Sequence, residues 1–431
     1  MNPRPLPTSV AVIGGGLTGL TAAIRLAGLD IEVELFEAAP ALGGRTRSFF
    51  EPTMQQQCDN GPHLLIGAYA ATQALLREAG ADQYLHWQPS LCLPLWDARR
   101  GHFHFQPSSK LPFAPAMLLA AAAMPGHGLS SAIAMLRLAA ALQRSSAPQA
   151  EHVAGWLKEL RIPGQLVSDL LEPLCLGAMN EGIDTACPLS FKRVLKESFA
   201  GRKQARLGWF TAPLQTAMIE PLARHAEKLG VQIHTGHRVR QLEEAAGKVI
   251  VDDRSFDKAV VALPPFAADR LRNRRTTHET RAITNIHLWL HQAITMPAPL
   301  VGCIDGTGQW YFDVSQQWGN ATPGKHICAV ISADAGHRES HELIELCLHE
   351  LSLLCGSQPQ LKHSRIISER RATTLVRPDH AVQADVTKNI IDACERPAPG
   401  QLPATIESAV RRGEIAANCC LATPHYQRYP L

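Results

Sequence analysis

Several residues near the N-terminus could hold an anion with backbone alone. In SVAVIGGGLTGLTAAIRLA, the spacing Gly14-x-Gly16-x-x-Gly19 follows an apolar run and opens a helical pattern. Gly14 permits a tight turn. Gly16 lets the backbone approach a pyrophosphate, and Gly19 lets the helix pack closely on a sheet. The first helical residues, Leu17 and Thr18, bring unpaired N–H groups to the phosphates. A second strand pattern at 31–36 runs into Glu37 and Ala38, where a carboxylate can accept ribose hydroxyls. An arginine there would instead suit a 2′-phosphate. Gly43, Gly44 and Arg45 then offer a second close backbone approach with a cation beside it. This chemistry is that of a dinucleotide site.

The elements needed are a strand, a glycine turn, a helix and a second strand, the opening of a Rossmann-like unit in an α/β fold. The chain has 431 residues, which suits two domains. Apolar content of 45% and charge of 19% place it among folded globular proteins. A net charge of +3 gives no case for nucleic acid. Eleven cysteines without a CxxC pair form no disulfide framework and no zinc pattern, so a reducing, cytoplasmic compartment is expected. The start, MNPRPLPTSVAVIGG, does not read as a signal peptide, because its apolar run leads straight into glycines.

Residues 111–143 stand apart. LPFAPAMLLAAAAM is apolar throughout, breaks at Pro125-Gly126-His127-Gly128, and resumes as LSSAIAMLRLAAAL. Each half is shorter than the ~18–20 residues that span a bilayer. Composition favours a pair of buried core helices. The functional alternative is a helical hairpin that dips into the cytoplasmic leaflet or walls an apolar tunnel.

The loop Gly43-Gly44-Arg45 resembles the GG-R segment of the flavin amine oxidase and carotenoid desaturase superfamily, which implies FAD rather than NAD. DNGPHLLIGAY resembles the stretch that runs under the flavin ring, implying that Gly61, Pro62 and His63 lie there. Val239, in GVQIHTGHRVRQLE, matches a valine at the adenine end. LPATIESAVRRGEIAA resembles the final helix, whose N-terminus faces the flavin, implying contacts from Leu402, Ala404 and Thr405. The preceding turn departs from the pattern. Cys394-Glu395 stands where the family has Gly-Asp, so Glu395 takes the place of the ribityl-binding aspartate with one methylene more. The resemblance implies a discontinuous Rossmann-like FAD-binding domain from 1–70, 205–270 and 385–431. An inserted α+β substrate domain takes 71–204 and 271–384.

Further segments narrow the family. EPLCLGAMN, VLKESFAG, ITNIHLWL, GQWYFD and LPATIESAVRRG, in that order, resemble hydroxysqualene dehydroxylases. This implies acid-assisted loss of an allylic hydroxyl from hydroxysqualene, hydride delivery from N5 of reduced FAD, and squalene as product on a squalene/hopanoid route. An external electron donor is implied and not identified. His63 is the first candidate acid, since imidazole titrates near neutrality. Glu172, in an apolar helix, is the second. Asn180 reads as a hydroxyl ligand or a helix cap. No metal-ligand cluster is evident. An isoprenoid desaturase or amine oxidase of the same fold is the alternative enzyme. A degenerate flavin-binding protein without turnover is the alternative of another class.

Overall fold

A computed structural model describes residues 6–275, 278–319, 322–377 and 389–421. Residues 1–5, 385–388 and 422–431 of the expected cofactor-binding pieces lie outside the described residues, as do 276–277, 320–321 and 378–384 of the expected substrate pieces.

Distant parts of the chain build one parallel sheet. Its order is Gln232–Thr235, Glu32–Glu37, Ser9–Ile13, Lys258–Val261 and Ile390–Asp392. Every neighbouring pair is parallel. Ser9–Ile13 is central, and its continuous apolar run suits a strand covered on both faces. Val10 and Val12 pack toward the helices Leu17–Ala27 and Ile406–Leu421. Ala11 and Ile13 face Val249, Val251 and Phe256, which come from a three-stranded antiparallel sheet laid over the other side. The period-two alternation of a strand thus divides its residues between two cores.

The second body is a seven-stranded sheet. Its order is Leu361–Thr374, Thr280–Leu290, His326–Asp334, Trp310–Asp313, Leu300–Cys303, Leu93–Asp97 and Gly101–Phe105. It is antiparallel except where Leu300–Cys303 meets Leu93–Asp97. The helix Ser340–Cys355 packs on one face through Leu343, Cys347 and Leu351. Helices between 113 and 198 belong to the core on the other face.

The apolar segment forms an antiparallel pair, Phe113–Ala123 and Leu129–Gln143. The core-helix expectation describes only one side of it. Ala116, Met117, Ala120, Ala134, Met135 and Leu138 are buried. Leu119, Leu129 and Leu136 are exposed, Leu129 to 76%. Among the described residues no helix is long and apolar enough to cross a membrane.

The two chain ends meet where Ile406–Leu421 lies on Leu17–Ala27. Thr18 Oγ1 donates to Ala409 O at 3.0 Å. A Cβ on Gly413 would fall 2.5 Å from Thr18 O and 2.6 Å from Thr21 Cβ. Replacing Gly413 with Val is expected to wedge the helices apart and cost about 1–3 kcal/mol. The measurement is the thermal midpoint, and an unchanged midpoint would contradict this packing.

Candidate active site

The glycine turn leaves the central strand at the C-terminal edge of the parallel sheet, where such folds bind ligands. Gly14 has φ +114°, and a Cβ there would lie 2.5 Å from Ala262 O. A Cβ on Gly19 would lie 1.8 Å from Gly14 O. Both positions need glycine for the protein's own packing. Gly16 differs: a Cβ there meets no atom of the chain within 4 Å. The chain has therefore left room at the head of the helix that Gly16 caps, beside the buried Leu17 and Thr18. The second glycine loop is fastened to the first, since Gly43 N donates to Gly15 O at 2.9 Å. Gly44, with φ +58°, passes close to Gly16.

Glu37 ties this turn together. Its carboxylate accepts Gly15 N and Ala39 N, each at 2.7 Å, while Ala38 between is exposed. Its remaining lone pairs are what a ribose could use. Val239 lies between the strands Gln232–Thr235 and Leu242–Ala245, packed against the cluster of Ala11, Ile13 and Phe36.

From the far end of the chain comes Glu395, 4% exposed. It accepts Thr374 N at 2.9 Å and pairs with Arg45, which also donates to Ala372 O at 2.6 Å. Burial works against its ionisation, but Arg45, Arg412 and the Thr374 N–H together outweigh it and hold the carboxyl at about 2. Cys394 fills the sheet side, its thiol donating to Val261 O at 3.5 Å. The closing helix begins with Thr405 and Ser408 exchanging hydrogen bonds. Ser408 N donates to Thr405 Oγ1 at 3.1 Å, and Thr405 N to Ser408 Oγ at 2.9 Å. Leu402 and Ala404 are half-buried in the turn before it.

A cavity adjoins this edge. Asp59, Pro62, His63 and His287 line it together with Trp209, Phe210 and Trp318. Gly61 is needed because a Cβ there would collide with the Asn285 amide at 2.6 Å; Asn285 Nδ2 donates to Asn60 O at 2.9 Å. His63 Nδ1–H donates to Gly61 O at 2.8 Å. Burial lowers the His63 pKa, and Arg45 acts in the same direction against that bond. The imidazole is therefore neutral near pH 7, with Nε2 as an acceptor. Asp59 Oδ1 accepts Ser48 Oγ at 2.5 Å and Leu214 N at 2.9 Å. Burial outweighs both bonds and pushes its carboxyl up to about 7. Burial lowers His287 to about 4. Its Nδ1 lies 3.0 Å from His326 Nε2.

The other expected polar residues stand apart from this cavity's lining. Glu172 is raised by burial, then by Asp305 and Asp184. Asn180 is the left-handed cap of Glu172–Met179. Its Nδ2 donates to Thr373 Oγ1 at 2.9 Å, and its Oδ1 accepts Ala333 N at 2.6 Å. It pins a helix to the large sheet. Sequence reasoning missed Asp59, His287 and the aromatic wall, which come together only through long-range contacts. It also missed a buried group of metal-ligand type, Cys58, His287 and His326, whose donor atoms lie within 4.8 Å. These residues come from three separate strands and have no sequence spacing.

The profile of the flavin containing amine oxidoreductase family matches residues 17–374. A hydroxysqualene dehydroxylase of Sinorhizobium fredii is 27% identical, covering 97% of this chain and 99% of its own. Another, of Rhodopseudomonas palustris, is 29% identical over 96% and 98%. Cyclohexylamine oxidase from Brevibacterium oxydans has a similar fold, with a TM-score of 0.68 at 16% identity, over 96% of this chain and 99% of that one. The cofactor of the family is FAD, and the residues present fit it. There is open space at Gly16, the two glycine loops lie together, and Arg45 of the second loop pairs with the buried Glu395. Replacing Gly16 with Val should abolish FAD retention while leaving the fold intact, because only the ligand side of Gly16 is open. A yellow, flavin-replete variant would contradict this. The family match spans well over half the chain and contains both the helix opened by the glycine turn and the cavity wall; the chain thus belongs to the flavin containing amine oxidoreductase family and is an FAD-dependent oxidoreductase.

Proposed function

We propose that the protein carries out reductive dehydroxylation of hydroxysqualene to squalene. The observation that carries this reading is a cavity walled by Trp209, Phe210 and Trp318 into which one protonatable carboxyl, Asp59, is built. The likeness to hydroxysqualene dehydroxylases along almost the whole chain supports it. We assign cofactor binding to 1–70, 205–270 and 385–431 and substrate binding to the rest. Gly14, Gly16, Leu17, Thr18, Gly19, Glu37, Ala38, Gly43, Gly44, Arg45, Val239, Glu395, Leu402, Ala404 and Thr405 hold the cofactor. Gly61, Pro62 and His63 form the wall between cofactor and substrate.

Bound and reduced FAD supplies a hydride, and an external two-electron donor must restore it. The chain's own residues do the rest. Asp59 protonates the allylic hydroxyl, the C–O bond breaks, and water leaves. The aromatic faces stabilise the allylic cation, as ring faces do other cations. A hydride from a bound reduced flavin would then close the carbon, and the substrate would gain its two electrons. His63 was the first acid expected. Its depressed pKa and its Nδ1–H bond to Gly61 fit it better to accept the substrate hydroxyl at Nε2 and orient it. Glu172 is assigned no step.

Anaerobic mixing of reduced protein with hydroxysqualene should give one squalene per flavin. Oxidised protein that instead dehydrogenates an isoprenoid or an amine would identify a desaturase or amine oxidase. A colourless protein that refuses FAD would identify a degenerate member. The acid form of Asp59 is lost as pH rises, so the single-turnover rate should fall through about pH 7. Asp59→Asn should slow that step by about 10²-fold or more and lose the pH limb. His63→Ala should keep the limb, and Glu172→Gln should change little. An Asp59→Asn rate near wild type would remove Asp59 from the reaction.

We further propose that the helical pair rests on the anionic cytoplasmic membrane surface. Its exposed leucines support this, as does charge: from 98 to 150 there is no Asp or Glu, while Arg99, Lys110, Arg137 and Arg144 are exposed. Binding to anionic liposomes should fall at least tenfold when Leu129 and Leu136 become Ser. Unchanged flotation would show that the exposed face has another use.

A further inference from the structure

A buried guanidinium in the closing helix keeps an unsatisfied donor. Arg412 is 7% exposed. Its Nε is without a hydrogen-bond partner. Burying an arginine among protein atoms without a bonded acceptor is costly, so a ligand that satisfies it is expected. The neighbouring arginine in sequence shows the contrast. Arg411 turns to the other side of the helix, where it bonds Glu407 and Glu197.

Its place in the fold narrows the ligand. Arg412 precedes Gly413, the residue packed on Thr18 O and Thr21. Its backbone therefore lies where the closing helix crosses the first turns of Leu17–Ala27, the helix that Gly16 caps. The charged groups around it are Glu395, Arg45 and Asp392, together with the Cys394 thiol. Glu395 is already engaged by Arg45 and Thr374. Asp392 is likewise engaged, by Arg272 and Arg396, so the buried Arg412 and the half-buried Arg45 stand beside two carboxylates that are already taken. Such a set favours an added anion.

We propose that Arg412 is an interior cation for the pyrophosphate of the cofactor, reaching it from the protein side while the glycine turn meets it with backbone N–H groups. This rests on the assignment of the Gly16 turn as the phosphate cradle, and the Gly16→Val variant tests that assignment separately. Arginine suits the role because its planar fork offers paired donors to phosphate oxygens. Glu395 then has a second purpose. It keeps two nearby guanidinium groups from repelling each other before the cofactor enters.

The test uses full-length apoprotein and three ligands, FAD, ADP and riboflavin. Arg412→Met and Arg412→Lys are compared with wild type. For Arg412→Met, the Kd for FAD and for ADP should both rise about 10-fold or more, the scale of a lost charged hydrogen bond. Riboflavin affinity should stay within twofold, and Arg412→Lys should fall between. The thermal midpoint of the apoprotein should rise in Arg412→Met, because an unpaired buried charge is gone, while that of the FAD-bound form should fall. Inorganic pyrophosphate should raise the midpoint of wild-type apoprotein more than chloride at equal ionic strength, a reading that needs no variant. FAD and ADP affinities within twofold of wild type would overturn the proposal. So would weakened riboflavin with ADP spared, which would move the contact to the flavin half. Failure of pyrophosphate to protect wild type would overturn it as well.

Discussion

The contact on which the rest depends is the bare backbone approach of two helices from opposite ends of the chain. Gly413 of the closing helix sits on the Thr18 carbonyl, with no room for a methyl group. That closeness fixes where the closing helix starts and where Glu395 stands. The hydrogen bond from Thr18 to Ala409 sets the rotation of one helix on the other. Glu407 extends the same junction, accepting Ala71 N and both Thr72 N and Thr72 Oγ1. A buried carboxylate with so many donors is well satisfied. The helix after the Asp59–His63 segment is thereby held to the same frame as the glycine turn.

The departure at Cys394-Glu395 is resolved by this geometry. The cysteine does not need to approach a ligand, because its sulfur is turned to the sheet and bonded to Val261 O. The longer glutamate has a cation to meet, and Arg45 meets it from the second glycine loop. The pair joins residues 350 positions apart. The change is thus a matched substitution within a charge cluster, and the space beside Gly16 remains open.

Some of this was legible in the sequence and some was not, for physical reasons. The glycine turn, Glu37 and the loop at Gly43 were legible because each acts through residues close in sequence. Thr405 came only through the resemblance of LPATIESAVRRGEIAA to a final helix, while its exchange of hydrogen bonds with Ser408 is a local contact. Asp59 lay in plain view within DNGPH, but its environment depends on Ser48, Leu214 and an aromatic wall from residues 209 to 318. Arg412 carries no local signal in SAVRRGEIAA, and only the packing of the closing helix over Thr18 buries it. The apolar segment misled in another way. Composition reports how much apolar surface a helix has, not how much of it finds a partner, and here one side found none among the described residues.

The strand order of the parallel sheet bears on how the protein is made. Ser9–Ile13 leaves the ribosome early, but its partners on one side are Lys258–Val261 and then Ile390–Asp392. Pairings so distant in sequence close large loops and form slowly. The first strand, apolar on both faces, must wait through most of synthesis with only Glu32–Glu37 beside it. Ile406–Leu421 follows all of these strands, so its packing on Leu17–Ala27 through Gly413 is completed only after both large sheets have been translated. A chain cut short before Ile390 therefore lacks both the last strand of the parallel sheet and the helix that covers Thr18.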